Sequence, residues 1–320
     1  MGTMALVVCL PACCSFGCHT RHEGASLAFI SQSADEGRLC VIGADGTGRW
    51  EFGGDRPLSV GIMTPRWSPD GTRLAIVVGQ YSGAADPPPD AIYLVKPYRD
   101  TYAAIHTEAD AERMIVDVSW APEGDRLAFV SAPGVIWFPP RPAAERAWQL
   151  WVIGSSGGSP TRISEEGVET STPVWSPDGQ RIAYVEERLA RPEEGRREWT
   201  PRIVVAETRS WEQTTTILGS PSLSLEAWSP VPSSDQILFS TWGSHGGAHG
   251  DWVCIADVST RVTRYLAVGS LPAWPRWSPD GASVAFAADR EGRAQLAMIG
   301  ADGEGEALLT ESTGNDTCPS

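Results

Sequence analysis

The chain writes nearly the same ten residues again and again. PRWSPDGTRLAIVV begins at Pro65, SWAPEGDRLAFVSA at Ser119, PVWSPDGQRIAYVEE at Pro173 and PRWSPDGASVAFAAD at Pro275. A worn copy, EAWSPVPSSDQILFST, begins at Glu226. The anchor tryptophans Trp67, Trp120, Trp175, Trp228 and Trp277 lie 53, 55, 53 and 49 residues apart. A period of this size demands a repeat architecture, because one unit cannot bury its own apolar face and must stack on its neighbours.

Each intact copy has the same local physics. A short extended segment ends in Trp, and a turn follows. In Pro-Asp-Gly, Pro presets φ, Asp bonds its own backbone and Gly accepts positive φ. Asp70–Gly71, Asp178–Gly179 and Asp280–Gly281 are such pairs. The runs after the turn (LAIVV, LAFVS, IAYVE, VAFAA) are short, apolar and β-branched or aromatic, as in strands buried on both faces. A second run follows in each copy, as in IYLV and IVVA, and then a weaker one, such as PTRIS or VTRYLA. Four short antiparallel strands without helical periodicity make a propeller blade. The tryptophans recur in every intact copy, which assigns them to packing.

A sixth copy opens the chain. HEGASLAFIS at His22 and LCVIGADGTG at Leu39 match PDGASVAFAAD and LAMIGADGEG near the end, with Thr20 in place of the tryptophan. The C-terminal NDTCPS resembles the lead-in to another copy. The expected fold is all-β: a six-bladed β-propeller of four-stranded antiparallel blades over residues 20–320, closed by N- and C-terminal segments in blade one. Cys318 would then approach Cys18 or Cys14. A disulfide clasp, if the chain is exported, and free terminal thiols both fit.

The Trp-Ser-Pro-Asp-Gly and Leu-Ala-Phe repeats resemble the PD40, or WD40-like, repeats of TolB-type β-propellers, which also occur in the tricorn protease and in prolyl-oligopeptidase-like enzymes. The resemblance covers roughly residues 20–320. It implies a propeller and leaves function open, since propellers serve as binding modules and in enzymes alike. Neither the N-terminal α/β domain of TolB nor the α/β-hydrolase domain of the peptidases has a counterpart in this sequence.

Charge and cysteine usage narrow the partners. There are 40 acidic against 25 basic residues, a net charge of −15. Nucleic acid requires a basic face and is excluded, as is docking on anionic lipid. The seven cysteines show no even-count disulfide framework. No run of 18 apolar residues is present to cross a bilayer as a helix. Residues 1–19 read as a leader or linker. LPAC, Leu10 to Cys13, resembles a lipoprotein signal-peptide box with Cys13 as the lipidated residue, although a basic n-region is missing. This points to a periplasmic or otherwise extracytoplasmic protein, with an unstructured cytoplasmic start as the alternative.

Function is sought where the copies diverge. From the start of the second run to the start of the third there are 12 residues in the first and last copies, and 18, 23, 21 and 15 in the four between. Equivalent loops of a propeller emerge on one face, so these additions raise a rim over blades two to five. The loops carry Tyr81, Trp137, Phe138, Arg141, Trp148, Arg197, Trp199, Trp242 and His245. Aromatic residues and Arg dominate recognition surfaces. The expected role is therefore a non-catalytic module that binds a protein, a peptide or a cell-envelope glycan.

Motifs with chemical meaning are few. GSSGG, Gly154 to Gly158, fits the Gly-x-Ser-x-Gly elbow, but it stands where other copies have a hairpin turn, and the elbow needs a following helix. HGGAHGD offers His245, His249 and Asp251 as weak metal candidates on a Gly-rich loop, so no metal is expected. CSFGCH at Cys14 is one residue longer than the haem attachment spacing. No cofactor is expected. Two rivals remain: a propeller hydrolase or lyase using His245, His249, Asp251 and Glu186, and the propeller piece of a larger peptidase-like protein.

Overall fold

The computed structural model describes residues 26–32, 37–43, 46–52, 61–62, 65–79, 90–99, 101–108, 113–133, 148–165, 168–188, 201–217, 223–269, 273–290 and 293–310. The chain divides into two compact units, Met1–Gly167 and Val168–Ser320. Each contains three antiparallel sheets among the described residues.

In the first unit, β1 (Ser26–Gln32), β2 (Gly37–Gly43) and β3 (Trp50–Glu51) form a three-stranded sheet. The second sheet has five strands. Both β4 (Gly61–Ile62) and β5 (Arg66–Trp67) pair with β6 (Leu74–Gly79), followed by β7 (Ala91–Lys96) and β8 (Thr101–Thr107). The third comprises β9 (Arg113–Trp120), β10 (Arg126–Pro133), β11 (Gln149–Gly154) and β12 (Thr161–Arg162). In the second unit the sheets are β13 (Val168–Trp175) to β16 (Gln213–Ile217), with β14 (Arg181–Arg188) and β15 (Arg202–Glu207) between; β17 (Leu223–Trp228), β18 (Gln236–His245), β19 (Ala248–Asp257) and β20 (Thr263–Gly269); and β21 (Ala273–Trp277), β22 (Ser283–Arg290), β23 (Arg293–Gly300) and β24 (Ala307–Leu308). Four strands per repeat thus hold in four sheets. The first sheet shows three strands among the described residues, and the second splits its first strand in two. Cys13, Cys14, Cys18, Thr20 and Cys318 lie outside the described residues.

The split has a cause that recurs. The first strand slips against the second just before each anchor tryptophan, between Ser171 and Val174, between Leu225 and Ala227, and between Ala273 and Arg276. Pro65, Pro173 and Pro275 fall within these interruptions. Proline has no N–H for a ladder, so a bulge is where it is tolerated.

The second strands are the core. All six residues of β6 are buried, and Ile182 to Glu186 of β14 likewise. Apolar clusters form between sheet faces. In the first unit, Ala75 and Val77 of β6 meet Val118, Leu127 and Phe129 of the third sheet. In the second unit, Val185 and Val205 meet Trp228, Phe239 and Cys254, while Leu238 and Val253 meet Phe286 and Ile299. Burying each large apolar side chain contributes about 1.5–3 kcal/mol.

The Pro-Asp-Gly turns form as the sequence indicates, with one addition. Gly71, Gly179 and Gly281 have φ of 64°, 65° and 68°, and each N–H donates to the Ser carbonyl three residues back. The Asp carboxylate accepts the N–H two residues on, from Thr72, Gln180 and Ala282, at 3.0 Å. The added member is the serine. Ser68, Ser176 and Ser278 donate their hydroxyls to Asp70, Asp178 and Asp280 at 2.5, 2.6 and 2.6 Å. They also accept the N–H that opens the next strand.

The tryptophans do more than pack. The Trp120 indole N–H donates across sheets to the Arg66 carbonyl at 3.0 Å, and Trp228 does the same to Val174 at 3.0 Å. In both pairs an arginine of the earlier sheet covers the ring: Arg73 lies 5.0 Å over Trp120 and Arg181 4.8 Å over Trp228. Each arginine then bonds the turn of the later sheet, at the Gly124 carbonyl (2.8 Å) and at Asp235. Sheet-to-sheet packing is thus pinned by a buried hydrogen bond and a cation over an aromatic face. The fifth sheet lacks this arginine because its worn turn has Gln236 in that place. Among the described residues the buried indole N–H of Trp277 in the sixth sheet has no hydrogen-bond partner, and neither has that of Trp67 in the second.

Two predictions follow from this geometry. Trp228→Phe keeps an aromatic ring but loses the N–H and the pyrrole half of the indole, so it should cost more than the about 1 kcal/mol of the bond alone and less than the roughly 3–5 of Trp228→Ala. Trp277→Phe, with no hydrogen bond to lose, should cost less than Trp228→Phe; denaturant midpoints at constant slope test the order. The second concerns acid. Burial opposes ionisation of Asp70 and Asp178, but bonds from serine and the backbone win, and both carboxyls lie below their usual range. For Asp280 the Ser278 bond leads in the same direction. A depressed carboxyl stabilises the fold above its unfolded value and loses that contribution as pH falls through the folded one. Ser176→Ala should therefore destabilise at pH 7 and lose less stability than the parent between roughly pH 4 and pH 2, read from urea midpoints across that range.

Candidate ligand-binding surface

The connections between second and third strands leave each sheet at the end opposite the Pro-Asp-Gly turns. Three of the four long ones contain Tyr81, Trp137, Phe138, Arg141, Arg197 and Trp199, which lie outside the described residues. The structure places Trp148 at the threshold of β11, 39% exposed, in the first unit. It places Trp242, 46% exposed, and His245 on β18 in the second.

Two polar clusters at these strand ends were not apparent from the sequence. In the first unit, Asp90 is buried beneath the start of β7. Its carboxylate accepts the Ile115 N–H at 2.8 Å, and its carbonyl accepts the Glu108 N–H at 2.8 Å. A Cβ on Gly79 would lie 2.1 Å from the Asp90 Oδ1, so glycine is required opposite it. Nearby, Arg113 donates to the Ser131 hydroxyl and carbonyl, both at 2.9 Å. Glu108 stands 3.8 Å from His106 Nε2. Burial would raise the Glu108 carboxyl, but His106, Ser131 and Arg113 bring it below its ordinary value. In the second unit, fully buried Glu186 accepts from Arg202 across the β14–β15 ladder, with Nε at 2.9 Å. These contacts brace the strand ends. The sequence signal was the alternation His106-x-Glu108, which puts both side chains on one strand face.

A further set of pairs ties first strands together: Arg66 to Asp117 at 3.4 Å, and Arg276 to Glu226 at 3.0 Å. Burial pushes the Asp117 carboxyl above its usual range in spite of Arg66.

The fifth copy departs from expectation. HGGAHGD is part of a hairpin rather than a flexible loop: β18 and β19 pair residue by residue from Gln236–Asp257 to His245–Ala248. Gly246 and Gly247, at φ 58° and 87°, make the two-residue turn whose twist suits paired strands. Side chains alternate across a strand, so His245 and His249 fall on opposite faces and cannot share a metal. Among the described residues no cluster of three or more His, Cys, Asp or Glu side chains suits a metal ion. On one face His245 stacks on Tyr265 at 3.6 Å and meets the edge of Trp252. On the other, Trp242 meets His249 edge-on at 4.5 Å, and the Ser244 hydroxyl lies 2.6 Å from His249 Nδ1. Asp251 is directly opposite Trp242 in register.

Ser244 and His249 form an exposed Ser–His pair. Nucleophilic catalysis needs a third group orienting the histidine and donors aimed at an oxyanion, and His249 makes no second hydrogen bond among the described residues. Ser156 is excluded by context: Gly154 to Gly158 is a turn between β11 and β12, with no helix after it.

No family model matches the chain. A stretch of 123 residues, 38% of this chain, is 28% identical to the uncharacterized peptidase YuxL of Bacillus subtilis strain 168 and spans 17% of that protein. TolB from Acinetobacter baumannii superposes on 91% of this chain and 64% of its own, at 18% identity and a TM-score of 0.56. The β-propeller domain of the Trilobed protease from Pyrococcus furiosus superposes on 90% of this chain and 83% of its own, at 14% identity and a TM-score of 0.62. The chain therefore has a TolB-like β-propeller fold, and it spans less than two thirds of the length of both the peptidase and TolB.

The buried brace yields a prediction. Asp90→Ala strands the Ile115 N–H and should cost about 1–3 kcal/mol. Gly79→Ala should destabilise by displacing the same carboxylate. The two combined should fall short of their sum, because they disrupt one contact; a thermal-unfolding double-mutant cycle measures this.

Proposed function

We propose that the chain is a six-bladed propeller, closed where the N- and C-terminal segments share blade one, and that it is a non-catalytic binding module. It recognises a protein, a peptide or a cell-envelope glycan through the second-to-third-strand connections of blades two to five. The observation that carries this reading is the fifth-blade hairpin, which holds the exposed Trp242 in a fixed aromatic setting at the end where four consecutive copies are lengthened. Rigid connections and fixed aromatics lower the ordering cost of binding. An extracytoplasmic location, with Cys13 as a lipid anchor, accompanies the proposal and draws on the N-terminal sequence alone.

The likeness to a peptidase supports a second reading, in which this propeller belongs to a peptidase-like protein and guides peptides to a catalytic domain. One experiment serves both. A variant with 80–89, 134–147 and 189–200 shortened to the blade-one length should keep its β circular dichroism and lose the ligand that the parent captures from native envelope extract. Equal capture by both variants refutes the rim. Turnover of peptides or esters by the parent that disappears in His249→Ala would establish the enzymatic rival.

A further inference from the structure

The hairpin face bearing Trp242 has a composition that selects a ligand. Leu238, Val253 and Ile255 on the lower part of this face pack against Phe286, Ala297 and Ile299 of the sixth sheet. Above them come Trp242, Ser244, His249 and Asp251. Trp242 is exposed and forms a T-shaped pair with His249, whose Nδ1 lies against the Ser244 hydroxyl. Asp251 faces Trp242 across the ladder, a pairing that puts their Cβ atoms within about 5.5 Å.

Among the described residues the Asp251 carboxylate has no hydrogen bond and no ion pair. It is also partly withdrawn from water, and burial pushes its carboxyl up. A partly desolvated carboxylate without a protein partner is well placed to pair with a cation. The aromatic face beside it carries the negative end of a quadrupole and likewise attracts positive charge. An apolar ligand would leave the carboxylate unpaired, and an anion would be repelled by it and by the net charge of −15.

We propose that the Trp242–Asp251 face of the β18–β19 hairpin binds a cationic side chain, an Arg guanidinium or Lys ammonium presented by a basic peptide. The proposal rests on the reading of this end of the propeller as a binding surface and names the chemistry of its ligand. Trp242 supplies the cation–π face, Asp251 the counter-charge, and His249 positions the ring.

The test uses the full chain with two acetylated, amidated probes, Gly-Arg-Gly-Arg-Gly and its neutral isostere with citrulline in place of arginine, measured by calorimetry at pH 8. The arginine probe should bind and the citrulline probe should not. Asp251→Asn, which breaks no hydrogen bond or ion pair among the described residues, should weaken binding about tenfold, and Trp242→Leu about fivefold. Raising sodium chloride from 50 mM to 500 mM should weaken the parent as well. Thermal midpoints near that of the parent confirm that the variants are folded. Equal binding of the two probes, no binding of either, or binding within twofold of the parent in both variants overturns the proposal. The wider reading fails separately. If loop shortening leaves ligand capture intact while Asp251→Asn abolishes probe binding, the rim is wrong and this site stands. The reverse pattern retains the rim and discards the site.

Discussion

The indole N–H that reaches from one sheet to the backbone of the sheet before it is the contact on which the rest of the architecture depends. Apolar packing between sheets is strong but tolerant of sliding, because dispersion and burial have little directionality. A hydrogen bond from Trp120 to the Arg66 carbonyl, or from Trp228 to Val174, admits one register. The arginine over each ring and its bond to the next turn close the third side of the joint. Bulges just before the tryptophans bend the strand close to this joint. The worn fifth copy shows the dependence by exception. With Gln236 in place of arginine and a turn that has lost Asp and Gly, the joint to the sixth sheet keeps its apolar contacts and the Arg276–Glu226 pair but not the indole bond.

The two ends of each sheet serve different purposes. At one end the Ser-Pro-Asp-Gly turns are nearly identical, because each must form the same knot of hydroxyl, carboxylate and backbone. At the other the copies diverge, and polar groups collect: the Asp90 brace, the Glu186–Arg202 pair, and the hairpin of the fifth sheet. The Asp90 and Glu186–Arg202 contacts tie neighbouring strands together at this end. The Trp242–Asp251 face differs in holding an exposed tryptophan beside a carboxylate that has no donor among the described residues.

Much of the scaffold was legible in the repeats. Pro-Asp-Gly announced the turns, the Leu-Ala-Phe runs announced the buried second strands, and the recurrence of tryptophan announced a packing role. The bulges were legible in hindsight, from proline two residues before Trp67, Trp175 and Trp277. The serine of the turn recurs in the motif, but its two hydrogen bonds, to the Asp carboxylate and from the next strand, become visible only in the folded turn. The Gly-rich run of the fifth copy was misread as a loop, since Gly246–Gly247 suits both a flexible segment and a tight hairpin turn. What decided between them was the alternation of flanking residues, each of which found a partner across the ladder.

The sequence by itself determined the class of fold, because a repeated strand pattern near 50 residues long has to bury its faces against copies of itself. It also determined the turns, whose geometry is local to four or five residues. Only the tertiary structure decided which groups meet. Strand register put His245 and His249 on opposite faces and set Asp251 across from Trp242, and sheet packing put an indole against a carbonyl 54 residues away. Those contacts join residues distant in the chain, and no short-range preference of the residues involved encodes them.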